Sequence, residues 1–255
     1  MTSLVHYSVE NGVARLTLDS PHNRNAMSTA LVDQLRQGLT DAADEAGVRV
    51  VVLGHTGGTF CAGADLSEAA GRDPGDLATA RALEAARLLR SILELPIPVI
   101  AAVDGHVRAG GMGLIGACDL VVAGTASTFA LTEARIGVAP SIISLTLLPK
   151  MTARAAGRYF VTGEKFGAEE AERIGLVTVA TDDVPAAVAK LTDEITKGSP
   201  QGLAASKALT TAAILADFDR DAEKLAKQSA ELFVSDEARE GMMAFLQKRQ
   251  PNWNK

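Results

Sequence analysis

Two glycine-containing turns, Phe60-Cys61-Ala62-Gly63-Ala64-Asp65 and Ala109-Gly110-Gly111-Met112-Gly113, each follow an apolar, strand-like run and each lead toward a helix. A helix start leaves backbone N–H groups without intrahelical partners, so two such turns set face to face offer donors for a single oxygen. Their small residues let a ligand approach the main chain closely. That arrangement suits a reaction in which negative charge collects on one carbonyl oxygen, as when a thioester becomes an enolate.

The elements needed to position these turns are legible around them. Val13-Ala14-Arg15-Leu16-Thr17-Leu18 reads as a strand, followed by the polar turn Asp19 to Asn25. Ser28 is placed to cap a helix whose apolar positions Leu31, Leu35, Leu39 and Ala42 recur at helical spacing. Val50-Val51-Val52-Leu53 and Val99-Ile100-Ala101-Ala102-Val103 are continuous apolar runs, the pattern of strands covered on both faces, and each feeds one glycine turn. Leu120-Val121-Val122-Ala123 is a third such run. Between them, after a polar loop around Gly71 to Gly75, helical spacing extends from Asp76 to Leu95 and stops at Pro96 and Pro98. From Thr152 onward the pattern is mostly helical, with breaks expected at Gly163, Gly175, Gly198-Ser199-Pro200 and Asp217 and a strand expected at Leu176 to Val179.

Composition narrows the class. The chain has 255 residues, 47% of them hydrophobic, enough for a substantial packed core. A net charge of −6 argues against general nucleic-acid binding, and aromatic residues make up only 4%. The first ten residues lack a basic start followed by a long apolar core, and no apolar stretch reaches the length of a membrane span, so a soluble cytoplasmic protein is expected. Cys61 and Cys118 have neither zinc-site nor disulfide-framework spacing and read as small buried thiols. His6, His22, His55 and His106 are scattered singly, and no metal site is inferred.

Gly111-Met112-Gly113-Leu114-Ile115-Gly116 fits the G-x-G-x-x-G dinucleotide pattern. The next apolar strand begins near Leu120, leaving space for one or two helical turns rather than a full crossover helix, so a nucleotide cofactor is not expected.

In order along the chain, Asn25-Ala26-Met27, Phe60 to Leu66, Asp104-Gly105-His106 through Gly111, Cys118-Asp119-Leu120, Phe129 to Glu133, Thr162-Gly163-Glu164, Ala168 to Gly175 and Glu240 to Arg249 resemble the enoyl-CoA hydratase/isomerase, or crotonase, family nearly end to end. The resemblance implies an α/β spiral of ββα units over residues 1–198 holding an acyl-CoA site. It also implies a helical region over 199–255 that serves assembly and covers the site. Trimers, or hexamers built from two trimers, are implied. Coenzyme A enters as part of the substrate, so no separate cofactor is implied.

By the same resemblance the amides of Ala62 and Gly110 would hold the thioester oxygen and Glu133 would transfer the proton. In a pocket of Ala, Leu and Ile, desolvation would raise the Glu133 pKa toward the working range of a base. Without the resemblance, Glu133 reads as a solvated glutamate near Arg135. Ala26, Ala64, Asp65, Leu66, Gly111, Gly113 and Phe245 are implied around the substrate, and Arg24, Lys207 and Lys248 as phosphate partners. The chain departs from the family's hydratases at Gly113, where they usually carry a second glutamate. The leading expectation is hydration of a 2-enoyl-CoA. A Δ3-Δ2 enoyl-CoA isomerase, which needs one carboxylate, and a non-catalytic acyl-CoA-binding protein are the alternatives. For hydration with one glutamate, Gly113 would instead make room for a branched or carboxylated acyl group, with His106, Arg108 or Ser141 holding the water.

Overall fold

The computed structural model describes residues 2–69 and 74–254; the expected polar loop around Gly71 to Gly75 falls largely outside them. The chain starts with strands β1 (Val5–Glu10) and β2 (Val13–Leu18), paired antiparallel. Helix α1 (Thr29–Asp44) follows, with Ser28 Oγ accepting the Leu31 N–H at 3.3 Å. It buries Leu31, Leu35, Leu39 and Ala42, the stripe that the spacing predicts. Strand β3 (Val50–His55) and the short β4 (Thr59–Cys61) then lead through the first glycine turn to a 3-10 turn at Leu66–Ala69, and helix α2 (Pro74–Glu94) comes after it. The same order recurs: β5 (Val99–Val103), short β6 (His106–Arg108), glycine turn, helix α3 (Gly110–Ala117). A third round has β7 (Leu120–Gly124), short β8 (Thr128–Ala130) and a 3-10 turn at Glu133–Ile136.

This repetition sorts the strands into two sheets. The longer strands form one in the order β1-β2-β3-β5-β7 plus β10 (Val179–Thr181), parallel from β2 onward. Residues of β3 and β5 alternate between two apolar layers, which explains their unbroken apolar sequence. Val51, Leu53, Val99 and Ala101 face the main core, whereas Val50, Val52 and Ile100 pack with Val184 and Val188. The short strands make the second sheet, β4-β6-β8-β9, with β9 at Phe166–Gly167. Three-residue strands carry too little pattern to be read from sequence, and the two glycine turns therefore follow β4 and β6 rather than β3 and β5 directly. The first turn also opens a 3-10 turn, not an α-helix.

The remaining helices are α4 (Ser144–Leu147), α5 (Ala153–Thr162), α6 (Ala168–Arg173), α7 (Val184–Thr196), α8 (Pro200–Phe233) and α9 (Asp236–Leu246). The strand expected at Leu176 to Val179 forms later, as β10. Leu176 and Val177 instead bury their side chains in a turn whose amides both donate to Ala171 O. No break occurs at Asp217: α8 runs for 34 residues through it, and Asp217 pairs on the helix surface with Arg220 at 2.7 Å. Gly163 does end α5 in the left-handed conformation, and Ser199 caps α8 by accepting the Gly202 N–H at 3.1 Å. Among the described residues no helix is long and apolar enough to cross a membrane.

Candidate active site

Strands β4, β6 and β8 lie side by side and parallel, so the segments leaving their C-terminal ends emerge together. Those segments are the two glycine turns and the turn that bears Glu133. A bond from Ala109 N–H to Ala130 O at 3.4 Å ties the second turn to the end of β8, three residues before the glutamate. The first turn is braced from below. Asn25, fully buried, accepts the Ser20 N–H at 2.6 Å and donates to Thr56 O and Thr59 O at 3.1 and 2.8 Å.

Backbone geometry brings the two glycine turns into contact. Gly63 has φ +97°, where a side chain would be strained, and a Cβ there would lie 2.8 Å from Ala109 Cβ and 3.2 Å from Gly110 N. Ala109 itself has φ 46° and ψ −121°. Holding an alanine in so sparsely populated a region costs on the order of 1–3 kcal/mol, a strain that folds tolerate mainly where it aims a group usefully. Here it sets the orientation of the Gly110 amide at the start of α3.

The amides themselves require a correction to the expected donor pair. Ala62 N–H donates to Arg24 O at 3.1 Å, so it is already engaged within the fold. Ala64 is different. Its bridge to Met27 uses Met27 N–H to Gly63 O at 2.8 Å and Asp65 N–H to Met27 O at 3.3 Å, which leaves Ala64's own N–H facing away. Among the described residues neither Ala64 N–H nor Gly110 N–H has a hydrogen-bond partner. A Cβ on Gly110 would lie 3.8 Å from the Ala64 nitrogen. Two free amides this close can donate to one oxygen.

Glu133 is only 9% exposed, and its Oε2 has no hydrogen-bond partner. Burial pushes its carboxyl up to about 7, partly offset by a bond from its own amide. At neutral pH such a group both gives and takes a proton readily. It is not the solvated partner of Arg135, whose Nε donates instead to Thr162 O at 2.9 Å. Helix α9 covers the turn from outside: a Cβ on Gly241 would sit 2.5 Å from Ile136 C and O.

Several residues expected at the substrate are engaged or packed within the fold. Gly113 opens no space, because Ile143 Cγ2 occupies the position its Cβ would take, with Leu89 Cδ1 at 3.3 Å. Neither a second glutamate nor a branched acyl group fits there without displacing Ile143. Gly111 is buried against Cys61, whose carbonyl oxygen would be 2.7 Å from an added Cβ. The Asp65 carboxylate holds its own turn, accepting from Ser67 N–H at 2.9 Å, Ser67 Oγ at 2.7 Å and Asn23 Nδ2 at 3.0 Å. Both backbone groups of Ala26 are engaged, with Asn23 O at 3.3 Å and Ser28 N–H at 2.9 Å.

Lys207 is no phosphate partner. It is 5% exposed, pairs with Asp119 Oδ2 at 2.8 Å and donates to Ile92 O and Ile97 O at 2.8 and 3.1 Å. Arg24 and Lys248 remain exposed, Phe245 is 60% exposed beside Lys248 on the last turn of α9, and Leu66 opens the 3-10 turn. His106 and Arg108 are both engaged by Thr128, His106 Nδ1 lying 2.9 Å from Thr128 Oγ1 and Arg108 Nη2 2.7 Å from the same atom. Ser141 Oγ is buried and unpartnered. Both thiols are buried, and desolvation pushes their pKa values up to about 12, which disfavours the reactive thiolate. Two open clefts, of about 280 and 300 Å³, lie elsewhere, between α4 and α8 and beside His55 and Arg15; neither is lined by Glu133.

The site thus comprises two unpartnered amides and a buried carboxyl, all on segments that leave the C-terminal ends of three parallel strands. Residues 8–255 match the family model for enoyl-CoA hydratase/isomerase, and the chain belongs to that family. It is similar to a crystal structure of an enoyl-CoA hydratase from Mycobacterium avium, 66% identical, covering 99% of this chain and 100% of that one with a TM-score of 0.94. An enoyl-CoA hydratase structure from Mycobacterium smegmatis is 31% identical over the full length of both chains, with a TM-score of 0.80. A Rhodobacter capsulatus protein named "Probable enoyl-CoA hydratase" is 35% identical over 98% of this chain and 97% of its own length. The fold matches the crotonase-type α/β architecture expected from the sequence.

Proposed function

We propose that the protein hydrates a 2-enoyl-CoA to a 3-hydroxyacyl-CoA. The observation that carries this reading is the pair of unpartnered amides, Ala64 and Gly110, held against each other by a strained backbone. The thioester oxygen accepts from both, so charge that develops there on addition meets preorganised donors. Loss of one such donor typically costs about 10²- to 10³-fold in rate. Water adds at C3 as Glu133 takes its proton, and the enolate then recovers that proton at C2 from the same carboxyl. A pKa of about 7 suits a group that must act as base and then as acid.

Of the cations expected at the coenzyme A phosphates, Arg24 and Lys248 stay exposed, and Phe245, whose carbonyl accepts the Lys248 N–H at 3.1 Å, lies exposed on the last turn of α9. Assembly into trimers or hexamers, which the family resemblance implies, would cover apolar side chains that this chain leaves exposed, including Leu209 at 82% and Val161 at 76%.

One observation favours a second reading. Ile143 fills the neighbourhood of Gly113, so Glu133 has no carboxylate partner from that position, and a Δ3-Δ2 isomerase needs none. Incubation with 2-enoyl-CoA and, separately, 3-enoyl-CoA distinguishes the readings. Formation of 3-hydroxyacyl-CoA from the first supports hydration, and conversion of the second alone supports isomerisation. Tight binding of both without turnover identifies a non-catalytic acyl-CoA binder.

A further inference from the structure

A water molecule that attacks a carbon must present a lone pair to it, and one hydrogen bond leaves the molecule free to rotate. Fixing it takes a second polar group. Two side-chain atoms in the described residues, Glu133 Oε2 and Ser141 Oγ, are buried without a hydrogen-bond partner. An unsatisfied buried hydroxyl is destabilising, so its persistence points to a ligand that supplies the missing bond.

The chain between the two groups folds back on itself, with Val138 N–H donating to Glu133 O at 3.1 Å and Ser141 N–H to Ala139 O at 2.8 Å. Two residues further on, Ile143 packs over Gly113, one turn into the helix whose first amide is Gly110. The segment bearing Ser141 thus begins at the carboxyl and ends against the start of α3. Ser141 is 6% exposed, shielded from bulk solvent that would otherwise satisfy it. The other two polar candidates are both engaged by Thr128.

We infer that Ser141 Oγ binds the attacking water, and in the product the 3-hydroxyl group, at the site proposed above for hydration; the inference rests on that reading. One water hydrogen points to Glu133 and the other to Ser141 Oγ, leaving an oxygen lone pair for C3. As the O–C3 bond forms, the C2–C3 π pair moves toward the thioester carbonyl and the first hydrogen passes to Glu133 as a proton. That proton then goes to C2, so the sum is one water added and the carboxylate restored. Ser141 holds its own proton throughout. The departure at Gly113 is met by a hydroxyl from a different segment rather than by a second carboxylate.

Two rates measured on Ser141→Ala test this. The first is hydration of a 2-enoyl-CoA. The second is exchange of the C2 hydrogens of a saturated acyl-CoA with solvent deuterium, which uses Glu133 and the amides but no water at C3. The expected result is a loss of roughly 10- to 100-fold in hydration with exchange unchanged, the effect of one lost hydrogen bond to a charging group. Ser141→Thr, which keeps the hydroxyl, recovers part of the hydration rate, and Glu133→Gln loses both activities. Equal losses of hydration and exchange in Ser141→Ala indicate a structural role and overturn the inference, as does hydration at the parental rate. If the parent exchanges C2 hydrogens and converts 3-enoyl-CoA but hydrates no 2-enoyl-CoA, the hydratase reading itself falls, and the role of Ser141 with it.

Discussion

At Glu133 the fold imposes a preference for the protonated carboxyl, and that preference has a sign that experiment can read. In an unfolded chain a glutamate titrates near 4.3, whereas burial pushes Glu133 up to about 7. As pH rises from about 4.3 through about 7, the unfolded state loses this proton first, so the group subtracts stability progressively and fully above about 7. Glu133→Gln removes that penalty. Urea unfolding is expected to find the variant as stable as the parent near pH 4 and more stable at pH 8, by at most about 4 kcal/mol. Over the same interval the parent's kcat/KM is expected to climb with an apparent pKa near 7, and the variant's residual rate to stay flat. A parent profile that is level from pH 6 to 8 removes Glu133 as the base. The motif singles out Glu133 in the sequence and the structure buries it, but which amides of the first glycine turn lie unpartnered was not legible. Whether Ala62 or Ala64 offers a free amide depends on Arg24, 38 positions before Ala62, whose carbonyl takes one of them. No local pattern encodes that choice.

Among the elements, α9 controls how dry the Glu133 turn is, because Gly241 lets the helix rest directly on the backbone of Ile136. In an exposed helix, replacing glycine by alanine gains about 1 kcal/mol. At Gly241 the added methyl meets backbone atoms at 2.5 Å, which have no rotamer in which to escape. Overpacking of this kind costs about 1–3 kcal/mol, so Gly241→Ala is expected to destabilise the protein despite the better helix former. Lifting α9 also admits water to the turn, so the pH–rate midpoint should fall toward the ordinary carboxylate range. A variant more stable than the parent in urea, with an unmoved midpoint, contradicts the packing. Long periodic elements such as α1 were legible because the buried stripe repeats over four turns. Strands β4, β6 and β8 were not, since three residues show no period and their pairing is entirely long-range. The break expected at Asp217 failed for a related reason: a lone acid in a helical run sits comfortably on the surface when Arg220 lies one turn away.

For the molecule as a whole, α8 is fastened to the sheet core by a charge pair whose lysine, Lys207, the family resemblance assigns to the ligand. Lys207 shares its side of α8 with buried Thr211, Ile214 and Phe218, spaced four, three and four residues apart, and that spacing was the available signal that it points inward. Burial lowers its pKa, and Asp119 opposes that shift by favouring the charged form. Asp119 Oδ2 also accepts the Val99 N–H at 2.7 Å, which joins the pair to the start of β5. Removing one member of a buried pair leaves an uncompensated charge and typically costs about 3–5 kcal/mol, far more than the loss of a surface contact. Lys207→Met is therefore expected to lower the urea midpoint sharply while leaving the coenzyme A dissociation constant of the folded protein unchanged. Adding Asp119→Asn removes the stranded carboxylate, leaves an oxygen to accept from Val99, and should restore much of the lost stability. A lysine that bound phosphate would behave in the opposite way, weakening coenzyme A binding with little change in unfolding. Measuring both quantities on the single and double variants decides between a fastening of the fold and a contact with the substrate.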